Sequence, residues 1–229
     1  MQIPLGQRLK TIAGHVPIGS RVADIGSDHG YLPAWLAQSG RAQRVIAGEI
    51  NADPARRARE TCFEFGLEDQ MDVRLGDGLE VIQPGEVDVI VISGMGGTTI
   101  RQILEQGRGK LDGVMRLVLQ PNVAAPELRY WLVTNEFVLT HESLVEENHI
   151  IYEVIVAEPG QSAPLNSLQL LLGPVLLKER PGLFREFAER LIADRRFVLG
   201  QLDKAASAEA AARREQFARE VAELEQAML

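Results

Sequence analysis

Short apolar runs recur through the first two thirds of the chain, and between them hydrophobic residues return every three or four positions. The runs are RVADI (21–25), RVIAGE (44–49), MDVRL (71–75), VDVIVI (87–92) and MRLVLQ (115–120). Near-continuous Val, Ile and Leu marks strands buried on both faces, and the spacers are long enough for crossover helices, so the pattern predicts a βαβ series with a parallel sheet. Two later runs, EFVLTHESLV (136–145) and HIIYEVIVAE (149–158), are separated by only a few polar residues, which predicts an antiparallel hairpin at one edge. Beyond Pro159-Gly160 the period changes, and Ala, Glu, Arg and Leu dominate from Pro181 to Leu229. Phe184, Leu191 and Val198 recur every seven residues with Phe187 between them, while Phe217, Val221, Leu224 and Met228 step by 4, 3 and 4. Both stripes predict amphipathic helices packed as an antiparallel pair, with Pro181 in the first turn of one and Ser207 capping the other. The expected organisation is an α/β domain over 1–160 and a helical, coiled-coil-like hairpin domain over 161–229.

With 229 residues, 45% of them hydrophobic, the chain can fill the core such a sheet needs. It has no long apolar span, and its first residues, MQIPLGQRLK, lack the apolar stretch of a secretory leader, so a cytoplasmic protein with no membrane partner is expected. The single Cys62 excludes an internal disulfide and a thiolate cluster, and His15, His29, His141 and His149 show no ligand spacing; no metal is expected. A monomer is favoured over an oligomer, although no motif decides it. The net charge of −8 lies entirely in residues 1–165, which hold 14 Lys/Arg against 22 Asp/Glu; residues 166–229 hold ten of each. Nucleic-acid binders normally carry a basic excess, so this balance argues against an RNA partner. Local groups such as Arg101, Arg108, Lys110 and Arg116, or Arg190, Arg195 and Arg196, remain, and a charge run of this kind is more often simply a solvated helix face.

The chemistry concentrates at predicted strand ends. Asp24-Ile25-Gly26-Ser27-Asp28-His29-Gly30 follows the first strand and precedes a helical stretch, Tyr31–Gln38, the context of a nucleotide-binding turn. Glu49 ends the second strand 25 residues after Asp24, where a carboxylate can bind ribose hydroxyls, and Ile50 stands beside it. Asp77 and Gly78, in LGDGLE, follow the third strand, where Asp77 can accept from an adenine amino group. Asp28 stands where a second glycine is usual. A pyrophosphate favours backbone N–H groups with no carboxylate nearby, whereas a sulfonium is attracted by one, so the acids favour S-adenosylmethionine over a nicotinamide dinucleotide. Each acid also has a structural alternative as a strand-end turn or helix cap. The fourth strand runs into Ser93-Gly94-Met95-Gly96-Gly97 and the fifth into Gln120-Pro121-Asn122, again at carboxyl ends. Glycines there let a planar group or a neighbouring backbone approach closely, and Asn122 offers donor and acceptor to a base edge; a helix-opening loop and a simple turn are the structural alternatives. The candidate cofactor set is Asp24, Gly26, Ser27, His29, Gly30, Glu49, Ile50, Asp77, Gly78, Gly94, Met95, Gly96 and Gly97. The candidate catalytic set is Asp28, Tyr31 and Asn122.

VADIGSDHGYLP, the AGE of 47–49, GDGLEVI, GMGG, LQPN followed by LRYWL, and IYEVIVAE together resemble the bacterial tRNA (adenine(22)-N1)-methyltransferase family, in order, over residues 5–160. Five parallel strands followed by a hairpin is also the Rossmann-like, seven-stranded plan of class I methyltransferases. The resemblance implies S-adenosylmethionine as cofactor, tRNA as substrate, and methylation of adenine N1 in the D-arm region; the C-terminal helices are either an arm for the large substrate, a possible tRNA-binding arm, or a hairpin that packs only on itself or the sheet. On the residues alone, another RNA, a small molecule, or a catalytically silent RNA-binding role stays open. Gly30 stands where the resemblance leads one to expect alanine, a small-for-small exchange expected to leave the site unchanged, and His149-Ile150 replaces a more polar pair. Adenine N1 has a free lone pair at neutral pH, so its attack on a sulfonium methyl needs no prior deprotonation. A carboxylate beside the base can stabilise the charge that develops on the ring, and Asp28 is the candidate. Tyr31 is either a stacking platform for a base drawn out of its pair or a buried helix residue.

Overall fold

Every apolar run of the first domain forms a strand. β1 (Ser20–Ile25), β2 (Ala42–Glu49), β3 (Met71–Leu75), β4 (Val89–Met95) and β5 (Arg116–Pro121) pair in parallel. β6 (Phe137–Glu147) and β7 (Ile150–Pro159) form the antiparallel hairpin, and β7 docks on β5. The result is one seven-stranded sheet in the order β3-β2-β1-β4-β5-β7-β6. The computed structural model describes residues 3–202 and 207–228, which fall into two compact units, Met1–Pro164 and Leu165–Leu229.

Helix α1 (Gln7–Gly14) precedes the sheet, and α2 (Tyr31–Gln38), α3 (Ala52–Glu64), α4 (Gly97–Gln106) and α5 (Ala125–Thr134) connect its strands. Val89, Ile90, Val91 and Ile92 are all fully buried, which is why this run reads as continuous rather than alternating. Val22, Val45, Val89, Val91 and Val118 share one core with Ile12 and Leu36 of the flanking helices. Each such side chain contributes about 1.5–3 kcal/mol on burial. The chain winds outward from β1 through β2 to β3, then returns to β4 on the other side of β1, so a crevice opens at the carboxyl ends of β1 and β4.

One charged cluster is built into the core. Arg129 of α5 is fully buried; its Nε donates to Glu142 of β6 at 2.7 Å and its Nη2 donates to Glu153 of β7. Removing one member of a buried ion cluster typically costs about 3–5 kcal/mol, because the remaining charge is left unpaired.

In the second unit, α6 (Ser167–Leu172) and α7 (Pro174–Glu179) precede α8 (Phe184–Leu202) and α9 (Ala208–Ala227). The long pair buries Phe184, Phe187, Ala188 and Ile192 of α8 and Val221 and Leu224 of α9, and Arg195 donates to Glu220 at 2.7 Å. Ser207 Oγ accepts from the Ala210 N–H at 3.1 Å, the cap its position suggested. Pro181 differs from expectation: it lies in the turn before α8, its carbonyl accepting from the Phe184 N–H at 2.8 Å. The seven-residue stripe also shifts, since Leu191 and Val198 are only half-buried while Ile192 is buried. A helix of 3.6 residues per turn drifts away from a strict seven-residue repeat. Leu229, the expected end of the second helix, lies outside the described residues. No helix among the described residues is long and apolar enough to cross a membrane.

Candidate functional site

The turn after β1 is shaped by three left-handed residues. Gly26 (φ 76°) donates its N–H to Gly48 O at 2.8 Å, and a Cβ there would stand 2.1 Å from Met95 Cε. Asp28 takes φ 52° without being glycine. Its backbone N–H donates to Glu49 Oε1, and Ser27 Oγ donates to the same oxygen at 3.2 Å. The Asp28 side chain is 65% exposed, with Arg57 Nη2 at 3.3 Å and His29 Nε2 at 3.7 Å. Gly30 (φ 71°) opens α2, and a Cβ there would meet Ala58 Cα and Cβ at 3.0 Å. The exchange is therefore not neutral in this geometry: alanine at Gly30 would take a left-handed backbone and need Ala58 to give by a few tenths of an ångström. Tyr31 is 43% exposed, stacked on His29 at 5.8 Å between ring centres, and is not a buried residue of α2.

Two cavities flank this turn. The first, about 480 Å³, crosses the carboxyl ends of β1, β2 and β3 and is walled by Gly26, Asp28, Glu49, Ile50, Asp77, Gly78 and Met95, with Thr99, Gln102 and Ile103 from α4. The second, about 260 Å³, is walled by Arg8, Asp24, Gly26, Ser27, Asp28, His29, Tyr31, Ser93 and Gly94. Gly26 and Asp28 belong to both. Gly30, Gly96, Gly97 and Asn122 form the supporting turns instead. The Gly97 N–H donates to Val123 O at 2.7 Å, and a Cβ at Gly97 would lie 2.3 Å from Ala124 O, so glycine lets the turn after β4 close on the turn after β5. Asn122 joins the same two turns, donating from its backbone to Met95 O at 2.7 Å and from Nδ2 to Gly94 O at 2.8 Å.

The electrostatics favour a cation. Asp24 is 3% exposed, and burial, together with repulsion from Glu49, pushes its carboxyl up to about 7; Arg8 pulls the other way. Burial also raises Glu49, opposed by the bonds from the Asp28 N–H and the Ser27 hydroxyl. A positive ligand would relieve the desolvation of both acids, whereas a phosphate would worsen it. Glu49 and Asp77 on the first cavity suit hydroxyl and amino donors, so the residues present fit an adenosyl group carrying positive charge. Among the described residues, no three His, Cys, Asp or Glu side chains come together as a metal cluster.

Arg8 and Gln120 are additions that sequence reasoning did not single out. Arg8 lies on α1, donates from Nη1 to Gln120 Oε1 at 2.6 Å, and sits 5.4 Å above the Tyr152 ring. No local motif marks a helix that precedes the sheet as part of a site at the sheet's carboxyl edge. Gln120 sits inside the quoted LQPN, but its full burial shows only in three dimensions.

The same chemistry is found in known proteins. A protein-family model described as tRNA (adenine(22)-N(1))-methyltransferase matches residues 22–226. The tRNA (adenine(22)-N(1))-methyltransferase of Bacillus subtilis is 41% identical over 213 residues, covering 91% of this chain and 90% of the relative. The crystal structure of the Bacillus subtilis m1A22 tRNA methyltransferase superposes with a TM-score of 0.92 at 37% identity, covering 100% of both chains. A Streptococcus pneumoniae protein described as a candidate tRNA (m1A22) methyltransferase, solved in complex with S-adenosyl-L-methionine, gives a TM-score of 0.89 at 33% identity over 99% of this chain and 100% of that one.

Proposed function

Because this chain belongs to the tRNA (adenine(22)-N(1))-methyltransferase family, we propose a division of labour in which the two cavities hold the methyl donor and Asp28, shared between them, faces the adenine. The enzyme is an S-adenosylmethionine-dependent tRNA (adenine-N1)-methyltransferase acting at adenine 22. The donor supplies an electrophilic methyl group on a sulfonium. Around it, Glu49 accepts from ribose hydroxyls and Asp77 from the adenine amino group in the first cavity, while Asp24 and Arg8 meet the ammonium and carboxylate of the methionine end in the second. The single observation that carries this arrangement is the placement of Asp28 on the walls of both cavities.

N1 of adenine attacks with its own lone pair, so no side chain has to remove a proton first. What the protein adds is electrostatic. Two unit charges about 4 Å apart interact by roughly 4 kcal/mol at an effective dielectric of about 20, an upper figure because the ring charge is only partly developed. That allows up to about a thousandfold in rate. Exposed Tyr31, at the mouth of the second cavity, offers a face on which the withdrawn base stacks. Asp28→Ala is expected to lower turnover by roughly 10² to 10³ with donor affinity within a few fold of the original. Abolished donor binding in a calorimeter would instead make Asp28 part of the donor loop.

The C-terminal helices are the tRNA-contacting arm in this reading, and the place of work is the bacterial cytoplasm, where tRNA is. The attack of N1 on a sulfonium methyl needs no Lewis acid, so in this reading the enzyme works without a metal, and as a monomer. Full activity after chelation and a monomer mass by light scattering are the expected results; loss of activity on chelation would overturn the metal-free reading.

A further inference from the structure

Behind the rim of the site runs a chain of hydrogen bonds with a single direction. Arg8 Nη1 donates to Gln120 Oε1 at 2.6 Å, and the Gly94 N–H donates to the same oxygen at 3.2 Å. Gln120 Nε2 donates to Asn122 Oδ1 at 3.0 Å, and Asn122 Nδ2 donates to Gly94 O at 2.8 Å. A guanidinium and a backbone N–H can only donate. Gln120 therefore cannot turn its amide end for end, because its own NH2 would face two donors, and the group it shows to Asn122 must be a donor. Asn122 inherits the constraint: its oxygen faces Gln120 and its nitrogen faces the Gly94 carbonyl, which can only accept. Gln120 is fully buried and Asn122 is exposed, so an orientation fixed inside the protein is displayed at its surface.

We propose that Gln120, held by Arg8, is a positioning residue that fixes the polarity of the Asn122 amide, so that the Asn122 oxygen is offered to the exocyclic amino group of the target adenine. This rests on the proposed function and adds to it that the target base also meets the turns after β4 and β5, where Gly94 walls the second cavity and Asn122 bonds to its carbonyl. A carboxamide oxygen keeps a second lone pair after accepting from Gln120. As N1 gains the methyl group, positive charge spreads to the amino group and makes it a better donor, so an acceptor there is worth more in the transition state than in the ground state. With the opposite polarity, two N–H groups of Asn122 would confront two N–H groups of the base. The polarity decides whether this contact recognises or repels adenine.

The decisive variant is Gln120→Glu. A carboxylate still accepts from Arg8 and from the Gly94 N–H but cannot donate to Asn122. The assay uses full-length enzyme and two tRNA substrates, one with adenine at position 22 and one with purine, which keeps N1 and lacks the amino group. The expected result is a fall in kcat on the adenine substrate of about ten- to a hundredfold, donor affinity within about threefold, and an adenine-over-purine preference that collapses toward one. Should Gln120→Glu fold poorly, Gln120→Met removes the donor to Asn122 while the Gly94 carbonyl still accepts from Asn122 Nδ2, so the preference is expected to fall part of the way toward one. A preference kept at the wild-type ratio in folded variants overturns the proposal, since a merely structural role would leave it unmoved. Asn122→Ala separates the two layers. If it abolishes the preference while Gln120→Glu preserves it, Asn122 touches the base and the positioning role of Gln120 fails. If Asn122→Ala changes neither kcat nor preference, the base does not meet this rim and the underlying reading fails with it.

Discussion

A carboxyl group that is 3% exposed, near a second carboxylate, gives up its proton only at about pH 7, and Asp24 is in that position. Its folded-state value lies above the unfolded one, so the folded chain holds the extra proton between about pH 4 and 7 and loses that contribution to stability as pH rises through the window. A cationic donor reverses the preference and draws Asp24 to its ionised form. Donor binding below about pH 7 is therefore expected to release a proton, and affinity to rise with pH up to about 7 and then level off. Calorimetry in buffers of different ionisation heat reads the proton directly, and Asp24→Asn should abolish both the release and the slope. An affinity that is flat with pH in the original protein would mean that Asp24 is already ionised. The identity of this residue was legible in the sequence because it interrupts an apolar run one residue before its end, ahead of the glycine turn. Its proton affinity was not, because that comes from burial and from Glu49, which the fold brings near.

At the level of elements, two glycines with similar clashes should behave differently. A Cβ on Gly26 would stand 2.1 Å from Met95 Cε, but that atom ends a flexible side chain, leaving mainly the cost of a left-handed backbone, about 1–2 kcal/mol. A Cβ on Gly97 would stand 2.3 Å from the Ala124 carbonyl oxygen, and a main chain cannot step aside without moving the turn that carries Asn122. Gly97→Ala is therefore expected to lower Tm and kcat more than Gly26→Ala, while Gly26→Ala is expected to cost more donor affinity because Met95 must swing in the cavity wall. Tm, calorimetry and turnover on the two variants check the ordering; equal effects would show that the two turns are not rigidly joined. The central strands were readable because burial on both faces writes a continuous apolar run, the edge hairpin because two runs lie only a few polar residues apart, and the acids and glycines at the ends of β1 to β4 then fall at the site. The short helices α6 and α7 were missed, although the Asn166 capping box with Gln169 and Pro174 at the head of the next helix were local signals for them. Arg8 had no such signal: its partner Gln120 is 112 residues away, and only the packing of α1 brings them together.

For the whole molecule, the charge lies unevenly along the chain. All of the excess acid belongs to residues 1–165, and residues 166–229 are neutral. A polyanion approaching such a protein gains little from the first unit outside the site, so the helical unit must supply the phosphate contacts in this reading. Arg185 on α8 and Arg213 on α9 are exposed. Reversing both to Glu is expected to raise the KM for tRNA by about tenfold or more and to reduce its salt dependence, with donor affinity unchanged. An unaltered KM would move the tRNA contact elsewhere. The imbalance could be counted from the sequence, but which arginines reach solvent depended on how the helices pack. The Arg129 cluster, finally, bears on how such a protein can change over generations. Its three members sit on α5, β6 and β7, and an apolar trio could fill the same space with little loss of stability. Any lineage making that exchange one substitution at a time must first pass through a protein with a stranded core charge, so the hairpin that closes this sheet is held in place by the route to its alternatives as much as by its own bonds.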